Sequence, residues 1–384
     1  MSAGIVRRFS WLVLLLGILP GIMSAQQQPT PLGNTKLEKA VSEDRGLSGY
    51  EIWLAQDVKW IITDAERSAF NSLRDEESRQ VFVEQFWSQR DPTPDTVRNE
   101  FEELHYQRLL SARQMFSTPD VMGWDTARGR IYVIYGPPDG VETKRGAPPL
   151  GPESVVLGAA CNDLSRIQVS AYEVWHYSKI RGIDHPATIA FAPLCTPSEL
   201  LAVADKVDAD TLGRPPVPKY KLICNGKVDP NDRSYRGIQQ IICGENPPHV
   251  QFKNLEEVVT AHVRYSLFTF GVHVEFAKIT DITDMLQLTI TVKNSDVTCR
   301  NNKTDLEAPV RIFGRFVTVN GRVAQIVEGT MGEPVSNCLN GNRKYTQRFP
   351  LRLGRYRFNL ALQDVNGDRM GTYAENIVVP ELHP

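Results

Sequence analysis

The sequence predicts an α+β protein: an N-terminal helical unit with a small β-sheet, followed by an all-β immunoglobulin-like sandwich. Three observations carry this. Apolar residues recur at steps of three to five between residues 49 and 118, the spacing of a helix that buries one face. The period drops to two from Gly129 to Tyr135 and again at Tyr172 to Tyr177, as in half-buried strands. From about residue 256 the chain is a succession of alternating or β-branched runs and turn residues, with enough strands for two packed sheets.

Taken in order, the chain opens on Arg7 and Arg8, an apolar run from Trp11 to Met23, and the small residues Ser24 and Ala25. These are the three parts of a secretory signal peptide, so residues 1–25 are expected to be removed. An uncleaved anchor is the alternative, although the run is short for a bilayer about 30 Å thick. Residues 26–48, with Gln26 to Gln28, Pro29, Pro31 and Gly33, form a polar lead-in.

Residues 49–198 are expected to fold as helices plus a small sheet. Thr63 and Glu66 make a capping box ahead of Phe70 and Leu73. Asp75 caps a second helix carrying Phe82, Phe86 and Trp87, ended by Arg90-Asp91-Pro92 because the residue before proline avoids helical geometry. A third helix spans about 95–116. Strands are predicted at Gly129–Tyr135, Tyr172–Tyr177 and Thr188–Phe191. Residues 199–255 form a connecting segment, with a short helix near Ser198–Ala204 and a proline-rich crossing at Pro215, Pro216 and Pro218. In the sandwich, residues 256–384, strands are expected at Val258–Phe270, Val272–Lys278 and Met285–Lys293. Asn320-Gly321 and Val365-Asn366-Gly367-Asp368 mark two hairpins.

Charge and cysteines bound the setting. With 43 basic and 45 acidic residues, the chain lacks the basic excess of a nucleic-acid-binding domain. No stable membrane span is expected once the signal is removed. The six cysteines, Cys161, Cys195, Cys224, Cys243, Cys299 and Cys338, are an even set in an exported chain and suggest disulfides. Neighbour pairing, 161 with 195, 224 with 243 and 299 with 338, closes the shortest loops. Zinc is the alternative, but C-x-x-C spacing is missing.

No H-E-x-x-H, G-x-S-x-G, Walker or G-x-G-x-x-G signature is present, so no catalytic residue, metal or cofactor is assigned. Glu100, Glu102, Glu103 and His105 cluster on the third helix. The Glu102/His105 spacing matches half of a di-metal motif. Its second half is missing, which favours a solvated acidic face.

The stretch Trp60 to Asp139 resembles the GWxTD domain of exported bacterial proteins. The naming motif corresponds to Gly123-Trp124-Asp125-Thr126-Ala127, followed by Arg128-Gly129. Upstream, Phe86-Trp87-Ser88-Gln89-Arg90-Asp91-Pro92, Asn99-Glu100 and Arg108 are similar; downstream, so are Tyr135-Gly136-Pro137-Pro138-Asp139 and Tyr172-Glu173-Val174-Trp175. Ala127 stands where the family has aspartate, so a function depending on that acid would be missing here. The resemblance implies export and no established activity.

Two readings of the motif remain open. In the structural one, Trp124 caps the seam between helices and sheet beside Trp87 or Phe116, and Arg128–Asp91 or Arg90–Glu100 pairs lock the unit. In the functional one, Trp87, Arg90, Asp91, Trp124 and Arg128 form a recognition surface, as tryptophan and arginine often do. The expected function is a non-enzymatic periplasmic or extracellular protein that binds an envelope protein or glycan. The alternative is a hydrolase of envelope polymers using Glu100, Glu103 and Asp139 as acid and base.

Overall fold

The structure, a computed structural model, describes residues 49–93, 96–148, 150, 152–157, 169–196, 199–215, 250–302, 305–332, 334–335 and 337–380. The signal and lead-in lie outside them, as do Cys161, Cys224, Cys243 and the side chain of Cys195, and with these the 161–195 and 224–243 pairings.

The helical unit begins with α1 (Gly49–Ile52), which runs on as a wider turn over Trp53–Asp57. Next come α2 (Asp64–Ser72), α3 (Glu76–Ser88) and α4 (Glu100–Phe116). The caps are those expected from local chemistry. Thr63 and Glu66 form the reciprocal capping box of α2, and Asp75 accepts from Ser78 N at the start of α3. Helix α4 starts at Glu100, a turn later than the apolar spacing suggested, where Asn99 accepts from Glu102 N.

A tight 3-10 turn (Gly123–Asp125) leads into α5 (Ala127–Tyr135). This overturns the strand expected at Gly129–Tyr135. Ile131, Val133 and Ile134 are buried, so their β-branched composition reflects an interior helix, where context overrides intrinsic preference. Thr126 caps α5 by accepting from Gly129 N.

The small sheet contains β1 (Gly140–Arg145), β2 (Ser154–Leu157), β3 (Ala171–Tyr177), β4 (Ala187–Thr196) and β5 (Glu199–Asp205), all antiparallel in the order β1-β3-β4-β5-β2. The helix expected at Ser198–Ala204 is therefore strand β5; its alternating Leu201 and Val203 against Ala202 and Ala204 serve two buried faces. One face carries Trp175, Ile189 and Phe191 into the helical core, and the other buries Leu194, Leu201 and Val203. Helix α6 (Lys206–Gly213) follows.

The sandwich is introduced by α7 (Lys253–Thr260), whose last turn, with the turns and irregular chain that follow as far as Phe270, overturns the strand expected at Val258–Phe270. Leu255 and Val259 pack on Phe313 and Ala361, covering the outer face of a sheet that would otherwise leave those side chains in water. Strands β6 (Gly271–Lys278), β7 (Thr283–Lys293) and β12 (Asn342–Arg352) form one sheet, ordered β12-β7-β6. The other, ordered β11-β10-β13-β14, contains β10 (Val310–Thr318), β11 (Val323–Met331), β13 (Gly354–Asp364) and β14 (Arg369–Val379). Strands β8 (Arg300–Asn302) and β9 (Asp305–Glu307) pair separately. This is an antiparallel sandwich of immunoglobulin-like type, its core filled by Leu288, Ile290, Phe316, Phe349, Phe358 and Leu360. Both predicted hairpins form, with Gly321 at φ 81° and Asp368 at φ 48°. The Cys299–Cys338 disulfide is present, its Cα atoms 5.8 Å apart.

The helical unit and the sandwich share a core, since Ile279, Ile282 and Met285 belong to the cluster containing Trp53, Phe86 and Trp124. At that seam the buried Asp57 carboxylate accepts from Tyr106, Thr280 and Thr283 hydroxyls, each at 2.7 Å. Burial pushes its pKa up despite those bonds.

Candidate functional site

The motif residues converge on packing. The Gly123 and Gly129 backbones approach so closely that a Cβ on Gly123 would lie 2.0 Å from the Ala112 carbonyl oxygen, and one on Gly129 1.8 Å from that of Gly123. Gly123 N donates to Ser117 Oγ at 2.8 Å, and Thr126 Oγ1 donates to Gly123 O at 2.7 Å. Trp124 is buried in the helical core, with its carbonyl accepting from Trp60 Nε1 at 2.8 Å. Asp125 pairs at the surface with Lys59.

The expected ion pairs form with other partners. Arg90 is buried against Glu66 at 2.9 Å and also donates to the Phe86 and Ile61 carbonyls. Glu66 is reachable because the capping box turns its carboxylate inward, whereas Glu100 bonds to Thr93. Arg128 lies over the Phe116 ring and meets Glu173 at 3.3 Å, while Asp91, also buried, accepts from Thr93 N. Trp87 is surrounded by Phe86, Phe101, His105 and Tyr106. Of the five residues expected on a recognition surface, Trp87, Arg90, Asp91 and Trp124 are interior.

Two cavities of about 220 Å³ stand out among the described residues. The first lies between the start of α4 and the sandwich, against Val323 to Ile326 of β11. It contains Glu102 and Glu103. Burial, with Glu103, Asp57 and Asp91 nearby, pushes Glu102 up to about 8, so it holds a proton at neutral pH. Glu103 is engaged on both oxygens by Arg98 and accepts from Gln347.

The second cavity is walled by α4, the end of α5 and the residues after β3. Ile61, Phe101, Leu104 and Ile180 supply apolar surface, and Arg108, Lys179 and Arg181 supply cations. Arg108 Nη1 donates to the Val133 and Ile134 carbonyls at 3.4 and 3.1 Å, while its Nε is buried with no acceptor. Burial lowers its pKa, but a guanidinium stays charged. His105 is driven down to about 4 by burial and contributes no charge at neutral pH. It is buried and bonded to the Asp57 carbonyl, which corrects the solvated-face reading of this helix segment. Asp139 lines neither cavity; its carboxylate clips Ser178 through N and Oγ at 2.5 and 2.6 Å. No cluster of three or more metal-ligating side chains occurs among the described residues.

Fold and cavities define a class: an α+β chain in which a compact helical module, knotted at two glycines, is built onto an antiparallel sandwich. Residues 51–147 match the GWxTD domain family, and the chain carries that domain. No curated protein sequence matches the chain.

Similar solved structures include a protein titled as a beta-galactosidase from Bacteroides fragilis (13% identity, TM-score 0.22) and a Bacteroides uniformis beta-glucuronidase (11%, 0.22). The shared region covers 28% of this chain and only 16% and 13% of theirs. The ApaA protein from Bordetella pertussis, at 14% identity and TM-score 0.22, is matched over 98% of its length by 31% of this chain. At those scores the likeness carries no argument about activity.

Proposed function

We propose that this chain is a non-enzymatic binding protein of the bacterial cell envelope, periplasmic or extracellular, with an envelope protein or glycan as its partner. The observation that carries the reading is the cavity at Arg108: an apolar interior beside cations, without an acid–base pair inside it. Ligand sites commonly combine an apolar lining with a few placed polar groups. Export is supported by the signal-peptide pattern and the Cys299–Cys338 disulfide. Among the described residues no helix is long and apolar enough to cross a membrane.

Glu102 favours a second reading, as a protonated acid beside a carboxylate in the other cavity, the arrangement used for acid–base hydrolysis. That reading ranks lower because Glu103 is held on both oxygens by Arg98 and has no free edge to act as base.

The test is to immobilise the mature chain and expose it to native envelope extract, alongside Leu104→Glu, which puts an anion at the cavity wall. Retention of a component by the wild type alone supports the reading. Release of sugars or peptides from purified envelope polymers, abolished by Glu102→Gln, would establish the hydrolase instead. Absence of retention together with absence of turnover would sink the proposal.

A further inference from the structure

We infer that the Arg108 cavity is a carboxylate site, taking a carboxylate carried on a short apolar body: the C-terminus of a peptide ending in an apolar side chain, or a free small acid of the same kind. This deepens the binding reading and rests on it.

The head-group assignment comes from how Arg108 is spent. Both Nη1 hydrogens go to the Val133 and Ile134 carbonyls at the end of α5, which fixes the guanidinium plane. On the opposite edge Nε is buried without an acceptor, Nη2 is neither buried nor hydrogen-bonded, and among the described residues no carboxylate lies within ion-pair distance of Arg108. Nη2 is thus the donor left for a ligand oxygen, a charge-assisted contact of the kind a carboxylate makes with a guanidinium.

Gly136 lets the backbone pass close to the guanidinium. It sits at φ 90°, and a Cβ there would come within 2.8 Å of Arg108 Nη2. The turn is held by Tyr177 OH donating to Gly136 O at 3.0 Å and by the Asp139–Ser178 clip. Lys179, next in the chain after Ser178, is exposed on the cavity wall and adds a second positive charge.

The body is assigned from the lining and the size. Ile61, Phe101, Leu104 and Ile180 are apolar, and of these Leu104 is exposed. A cavity of about 220 Å³ exceeds the roughly 150 Å³ that accepts a benzene ring. It therefore has room for one leucine- or phenylalanine-sized group and its carboxylate.

Binding of the mature chain is measured by calorimetry with four probes: a pentapeptide ending in phenylalanine with a free carboxylate, the same peptide as its C-terminal amide, 3-phenylpropionate, and inorganic phosphate. The free-acid peptide or phenylpropionate should bind, and the amide should bind about tenfold or more weakly, as expected for losing a charge-assisted contact. Peptide binding well above that of phenylpropionate identifies a chain terminus; equal binding identifies a free acid.

Arg108→Gln should lose binding by a similar factor. If that variant fails to fold, Leu104→Glu, altering an exposed position, should show the same loss with an unchanged melt. Lys179→Gln should weaken binding and reduce its salt dependence. Equal affinity for acid and amide, or phosphate competing as well as the carboxylate, would overturn the head-group assignment. Failure of all four probes at millimolar concentration would overturn the site. If the wild type still retained an envelope component that Leu104→Glu did not, the broader binding reading would survive that failure.

Discussion

Replacing Gly123 with alanine tests whether the motif is a packing knot. The added Cβ would lie 2.0 Å from Ala112 O and 2.7 Å from Ser117 N, both backbone atoms of α4 and its cap. Ordinary contact begins near 3.4 Å, so the 3-10 turn must retreat by the difference, about 1.4 Å. A retreat of that size breaks the 2.8 Å bond from Gly123 N to Ser117 Oγ and strains the 2.7 Å bond from Thr126 to Gly123 O. It also starts to uncover Trp124. Two hydrogen bonds at about 1 kcal/mol each, with partial exposure of an indole, sum to about 3 kcal/mol. That is the upper end of the roughly 1–3 kcal/mol usual for overpacking. Gly213→Ala is the matched control, because nothing lies within 4 Å of a Cβ there and the residue ends α6. Urea denaturation followed by far-UV circular dichroism reads both variants. A loss below about 1 kcal/mol for Gly123→Ala, or an equal loss for Gly213→Ala, would refute the knot.

Further expectations concern neighbouring parts of the molecule. Trp124→Ala should cost about 3–5 kcal/mol and lower one shared melting transition, since Ile279, Ile282 and Met285 lie in the same core; an unshifted sandwich transition in calorimetry would contradict that. Glu102, pushed up to about 8 from an ordinary 4.5, adds stability that is present below pH 4.5 and is lost as pH rises toward 8. Glu102→Gln should therefore flatten the fall in unfolding free energy, read by urea denaturation, between pH 5 and 8, by roughly 1–3 kcal/mol; an unchanged slope would remove Glu102 as its cause. Replacing Cys299 and Cys338 by alanine should cost about 2–5 kcal/mol, measured by thermal melts against the oxidised wild type.

Legibility in the sequence followed the range of the interaction. The α2 and α3 caps depend on residues three apart, and the hairpins on two to four turn residues, so both were visible locally. Helix α5 was missed because its Ile, Val and Tyr residues favour strands in isolation; burial between α4 and the sheet decided otherwise. The Thr126 cap was a local signal that could have revealed it. The Arg90–Glu66 pair was missed because the inward turn of Glu66 is a property of the capping box. The Arg108 cavity gathers Ile61, α4, the end of α5 and the residues after β3. No single window contains that site, and Arg108 stood out only through the GWxTD resemblance.

The same geometry decides what Ala127 means. Thr126 is the N-cap of α5, which makes Ala127 the first residue of the helix, and neither cavity includes it. An aspartate there would face the partial positive charge of the helix start, where Thr126 already accepts from Gly129 N. The family's acid therefore has a structural explanation at this position, and its replacement leaves the Arg108 cavity intact. Ala127→Asp should stabilise the chain by about 0.3–1 kcal/mol at low salt, less at high salt. Carboxylate binding should not change. Because α5 has no acid in its first turn while Arg128 and Arg130 sit there, the gain should lie toward the top of that range. Chemical denaturation at two salt concentrations, paired with the calorimetric titration, separates the roles: altered affinity with unaltered stability would return the motif's last position to the binding site.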